Sequence, residues 1–121
     1  MWVRNLNECE EFRAGDNTRL RELMHPDKHP VNLRYSLAHA IVEPGETSIP
    51  HALKTSEVYY LISGKGLMTI DAETRPVGPG DCIYIPPNAR QFIHNPGTEP
   101  LVFLALVDPA WRVEDETVFD K

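Results

Sequence analysis

Turn residues constrain this chain more than any other feature of it. Eleven prolines and seven glycines recur at short intervals, and the stretches between them are strand-length and rich in Val, Ile, Leu, Tyr and Phe. Proline breaks a helix interior and glycine weakens one, so little room is left for helices. No long stretch carries helical periodicity. Short apolar runs bounded by turn signals predict an all-β fold, a sandwich or a barrel.

The runs fall in a clear order. Residues 31–42 form the first strand, with Leu33, Tyr35, Leu37, His39 and Ile41 on one face and Arg34, Ser36, Ala38 and Ala40 on the other. Pro44-Gly45 ends it. Strands follow at 57–62, 67–70, 74–77, 82–85, 90–95 and 101–107. Gly64-Lys65-Gly66, Asp71-Ala72-Glu73, Gly78-Pro79-Gly80, Pro86-Pro87-Asn88 and Pro96-Gly97-Thr98 separate them, the second and last as hairpin turns. Residues 18–24 read either as a strand or as two helical turns. Residues 25–30 are a loop on proline grounds, which leaves His25 and His29 solvated. The tail from Asp108 to Lys121 is acidic, and Glu114-Asp115-Glu116 reads as a solvated end. Trp111 and Phe119 are its large apolar anchors, with Trp111 folding back over the barrel or across a dimer seam.

With 121 residues the chain builds one core and not two, and no repeat or linker divides it, so residues 1–121 are expected to form one domain. The formal charge of −6 and the lack of any Lys/Arg cluster argue against nucleic acid and anionic membrane surfaces as partners. No apolar run suits a signal peptide or a spanning helix. Cys9 and Cys82 stand outside any Cys-x-x-Cys or Cys/His pattern. A reduced, cytoplasmic setting with both thiols buried or half-buried is the expectation.

Two segments carry a resemblance. From Gly45 the chain runs five residues to His51, one more to Leu53, then to Glu57 and on to Gly64. From Gly80 it runs through Pro86, Asn88 and Gln91 to Asn95. These segments resemble the first and second cupin motifs, and the resemblance core spans residues 45–95. The departures are Leu53 and Gln91, where histidines usually stand, and Asn88, where glycine does. The resemblance implies a cupin-type double-stranded β-helix, a jelly-roll barrel, and a homodimer.

It also implies a divalent transition metal (Mn, Fe, Co, Ni or Zn), usually held by three histidines and a glutamate. Here His51 and Glu57 keep their positions. Alternate strand residues share a face, so His51 and Leu53 point inward together. Leu53 cannot coordinate; Gln91 offers an amide oxygen, a weaker donor than imidazole. The expected metal ligands are therefore His51, Glu57 and Gln91, with water. His94 has the opposite parity to Gln91 and should face outward. His39 adds a nitrogen only if its face of the first strand is the inner one.

Tyr59 shares the parity of Glu57 and is a candidate acid or base, or a packed phenol with an anchored hydroxyl. Tyr60 should face out. Lys54, between the site residues, is the best-placed cation for an anionic substrate; Arg34 and Arg90 are lesser candidates. Two function classes follow. One is a metal-dependent enzyme acting on a small sugar or carboxylate by isomerase- or lyase-type chemistry, or as a dioxygenase. The other is a metal-free, non-catalytic binder of a small molecule.

Overall fold

The structure is a computed structural model that describes residues 1–119. The last two residues of the acidic tail lie outside the described residues. Eleven strands form, with lengths set by the spacing of the turn residues: β1 (Glu11–Arg13), β2 (Arg19–Met24), β3 (Ser36–Val42), β4 (His51–Leu53), β5 (Ser56–Ser63), β6 (Gly66–Ile70), β7 (Glu73–Val77), β8 (Cys82–Ile85), β9 (Gln91–His94), β10 (Leu101–Asp108) and β11 (Glu116–Val118). Two short 3-10 turns, Leu6–Glu8 and Val113–Asp115, are the only helical segments among the described residues. None of the described helices is long and apolar enough to cross a membrane. Residues 18–24 thus resolve as a strand.

The strands make two antiparallel sheets, ordered β1-β2-β3-β10-β5-β8 and β11-β4-β9-β6-β7. From β3 to β10 the chain passes between sheets at almost every connection, which is the winding of a jelly roll. Asp71-Ala72 closes a true hairpin, with Ile70 opposite Glu73 and Asp71 in the left-handed region. The expected hairpin at Pro96-Gly97-Thr98 does not form. Its flanking strands β9 and β10 belong to different sheets, because β10 pairs with β3 and β5.

The inner face is clearest on β10, where Leu101, Phe103, Ala105 and Val107 are buried in strict alternation. Leu101, Phe103 and Ala105 pack with Leu61, Ile85 and Ile93, and the Tyr59 and Phe103 rings lie 4.4 Å apart. On β3 the buried residues are Ser36, Ala40 and Val42. That answers which face of the strand is inner: His39 belongs to the outer face, across from Arg21 and Leu104, and adds no nitrogen to the interior. Desolvation and the neighbouring Arg21 hold its pKa below the usual value. Ala40, the inward residue opposite bulky Phe103, is small, and Leu37 and Ile41 take the other face.

Asn95, at the end of the second motif, is fully buried. Its Nδ2 donates to the carbonyls of Val42 at 2.9 Å and Glu99 at 2.8 Å, while its Oδ1 accepts from the Gly97 amide at 2.9 Å. It therefore ties β3 to the crossover that leads into β10. Alanine would leave these backbone groups without partners. Asn95→Ala should cost about 2–4 kcal/mol in denaturant unfolding, since each orphaned buried group costs about 1–3 kcal/mol.

Candidate functional site

His51 and Leu53 both turn inward from β4, and His51 stands opposite Gln91 of β9. Glu57 comes from β5 of the other sheet, between Val107 and Ile85. The three residues thus meet across the interior and not along one wall. Gln91 bridges the gap: its Nε2 donates to Glu57 Oε1 at 2.7 Å, and its Oε1 accepts from the Tyr59 hydroxyl at 2.9 Å. Gln91 is fully buried, and Glu57 and Tyr59 nearly so.

A cavity of about 150 Å³ opens beside this row. Its walls include His51, Leu53, Glu57, Ser36, Ala38 and Val107 from the barrel. Asp16 and Gly15 from the loop before β2, Trp111 from the tail and Glu116 from β11 complete it. Tyr59 and Gln91 lie behind Glu57 and do not border it. His51 Nδ1 bonds the Ile49 carbonyl at 3.0 Å. A carbonyl only accepts, so Nδ1 carries the hydrogen, and Nε2 is left to face the cavity with Asp16 Oδ2 at 3.8 Å. Asp16 is itself fixed, its Oδ1 accepting from the Thr18 amide and hydroxyl at 3.1 and 2.8 Å.

Burial sets the proton affinities. It raises the Glu57 carboxyl to about 7, against the opposing pull of His51 and the Gln91 hydrogen bond, with Asp16 and Glu116 pushing the same way as burial. Burial and the nearby carboxylates Glu57, Asp16 and Glu116 drive the Tyr59 phenol well above its ordinary value. Glu116 is raised by burial first, with His51 and a hydrogen bond from the Trp111 side chain acting against it and Asp16 with it.

The donor set can be tested against a metal. His51 Nε2 and one Glu57 oxygen are available, but Leu53 offers nothing and Gln91 presents an N–H to Glu57 while its oxygen serves Tyr59. Among the described residues no group of three or more His, Cys, Asp or Glu is arranged to hold a metal ion. As arranged, the residues do not make a three-ligand site.

Other candidates from the sequence lie elsewhere. Lys54 is exposed on the turn after β4 and does not border the cavity. Arg34 pairs with Asp108 at 2.8 Å, and Arg90 lies over the Phe92 and Phe119 rings. His94 faces away from the interior, bonded through Nδ1 to Thr47 Oγ1 at 2.7 Å. Tyr60 is exposed; Cys9 is buried, but Cys82 is exposed, against the expectation for it, because β8 is an edge strand.

Two readings are corrected. His25 is buried, not solvated: its Nε2 bonds the Trp111 carbonyl at 2.6 Å and its Nδ1 accepts from the Asp27 amide at 3.0 Å. His29 is half-buried, bonded to Arg4 and packed on Trp2. Glu116 is no solvated end but a cavity wall, because β11 pairs with β4. Asp16 and Glu116 are the site residues that sequence reasoning missed.

A two-sheeted jelly roll with a small acid-lined cavity beside its interior defines the class. The Cupin domain family matches residues 38–107, and the chain belongs to that family. It is 41% identical over 115 residues, 94% of this chain and 91% of the relative, to an uncharacterized protein of Methanocaldococcus jannaschii. It is 30% identical over 102 residues to a glucose-6-phosphate isomerase of Thermococcus kodakarensis, 80% of this chain but 49% of that enzyme. The chain therefore spans about half the length of that isomerase. Among solved structures, a Cupin 2 conserved barrel domain protein from Salinispora arenicola superposes with a TM-score of 0.78 at 26% identity, covering 94% of this chain and 91% of that one.

Proposed function

We propose that the protein binds a small polar, sugar-like molecule in the cavity and moves a proton on it, in isomerase- or lyase-type chemistry, with Glu57 as the acid–base group. The observation that carries this reading is a buried carboxyl at the cavity wall with its pKa near 7. Such a group is about half ionised at neutral pH, so it can both take and return a proton. His51 Nε2, a lone pair facing the same space, accepts a substrate hydroxyl. Tyr59 and Gln91 act through Glu57 as positioning residues: the hydroxyl fixes the amide, and the amide N–H holds the carboxylate. The similarity to a sugar-phosphate isomerase points the same way, at the level of a shared domain. A homodimer in a cytoplasmic setting belongs to the same proposal.

The test is exchange of solvent deuterium into a panel of aldoses, ketoses and hydroxy acids, followed by proton NMR. Wash-in next to a carbonyl, rising with pH along a limb near 7, is the expected result. A molecule that binds in the cavity without exchange between pH 6 and 8 would make the protein a binder and overturn the reading.

One observation favours a second reading, a metal centre of His51, Glu57 and Gln91: His51 Nε2 has no hydrogen bond and shares the cavity wall with Glu57. It requires the Gln91 amide to turn over and release Tyr59. Elemental analysis of protein purified without chelator, with thermal shifts in Mn, Fe, Co, Ni and Zn, decides it. No bound metal and no rise in melting temperature would sink it.

A further inference from the structure

The cavity carries more acid than the proton-transfer reading needs, and the excess is arranged. Besides Glu57 it is lined by Asp16, Glu116 and Glu22. The one lysine on its wall, Lys28, is already matched, its Nζ bonding Glu22 Oε1 at 2.7 Å. His51 is the only other basic group bordering the space. Three carboxyl groups thus face one imidazole around about 150 Å³.

Acidic residues alone do not make a site, but this group has more. His51 is only 3% exposed, and its Nε2, aimed into the cavity, makes no hydrogen bond. Asp16 is held by Thr18 through one oxygen, which leaves Oδ2 free toward His51. Free acceptors therefore outnumber donors on the inner wall, and a ligand must supply the donors. An anion would bring a second set of acceptors into like charge with no unpaired cation to meet it.

We infer that Asp16 and Glu116 are ligand-binding residues, and that the buried part of the ligand is a non-anionic hydrogen-bond donor, a hydroxyl or an ammonium group. The inference rests on the reading that this cavity is the ligand site, and it narrows that reading: free carboxylates and phosphates are excluded from the inner wall.

A matched three-carbon series tests this without turnover. Serinol, glycerol, glycerate and glycerol phosphate are titrated at pH 8 against Trp2→Phe protein, whose remaining tryptophan, Trp111, lines the cavity. Serinol should bind tightest, glycerol next, and serinol should exceed glycerate by roughly tenfold or more, the equivalent of one lost charge contact. Asp16→Asn, which keeps the oxygen that Thr18 holds, should weaken serinol and narrow the gap. Glu116→Gln should do the same. Glycerate or glycerol phosphate binding as well as serinol would overturn the inference, and so would a series in which no probe changes Trp111 fluorescence. If the order holds but no deuterium exchange occurs, the acid–base reading falls and this one stands. If exchange occurs on a three-carbon hydroxy acid, too short to keep its carboxylate off the inner wall, this one falls alone.

Discussion

Glu57→Gln is expected to remove turnover and, above neutral pH, to make the fold more stable. The activity loss follows from replacing an ionisable group with a neutral amide of the same shape, and should be about 10²–10⁴-fold. The stability gain follows from linkage. The Glu57 pKa rises from 4.5 to about 7 on folding, so between those values the folded chain binds more protons than the unfolded one. Stability is then full below 4.5 and falls as pH rises to about 7. The shift corresponds to about 3 kcal/mol. Glutamine keeps an oxygen for Gln91 Nε2 and has no charge to bury. The variant should therefore match the parent near pH 4 and exceed it by about 2–3 kcal/mol at pH 8, as read by urea unfolding at both values. A variant that is less stable than the parent at pH 8 would mean that the carboxylate is wanted in its charged form. A metal held by His51 and Glu57 would produce that result in protein carrying the metal.

The barrel was legible because its turns are chemically specified. Proline and glycine clusters mark the breaks at 44–45, 64–66, 78–80 and 86–88, and the strands between them fall where those clusters leave room. Strand parity put Leu53 on the face of His51, Tyr59 on that of Glu57 and His94 on the face opposite Gln91, and the cupin resemblance said which of those faces is the inner one. On β3 parity sorted the residues into two faces but did not say which is inner. The strand starts at Ser36 and not at 31, and its inner face carries the small residues Ser36, Ala38 and Ala40, the first two bordering the cavity. A hydrophobicity pattern would bury Leu37 and Ile41, and both are only half-buried.

Asp16, Glu116 and His25 were not legible for a different reason. Each lies in a loop or on a three-residue strand, where no period exists to read. What buries them is contact with distant chain: β11 on β4, the Asp16 carbonyl with the Ile49 amide, His25 with the Trp111 carbonyl. The barrel strands, which are written locally, supply His51 and Glu57. The two ends of the described chain, which are not, supply Asp16 and Glu116.

Gly64→Ala is expected to be the most damaging glycine substitution in the chain. Gly64 closes the first motif, and its φ of +86° lies in the left-handed region. That alone would cost an alanine about 1–2 kcal/mol. The larger cost is steric. A Cβ there would stand 2.4 Å from the Pro100 carbonyl oxygen and 2.8 Å from the Leu101 Cα. Both are backbone atoms at the start of β10, and Leu101 is fully buried, so no side chain can swing away to make room. Relief requires moving the central strand of the larger sheet. A loss above about 4 kcal/mol is expected, in the range reserved for broken cores and strained backbone. Gly80 provides the control. Its φ is +89°, and a Cβ there meets nothing within 4 Å, so Gly80→Ala should lose only about 1–2 kcal/mol. Equal losses in the two variants, measured by thermal or urea unfolding, would show that the turn conformation and not the close approach of two chains is what requires glycine at 64. The expected inequality assigns that glycine to the place where the connection between the two sheets passes against the end of another crossover.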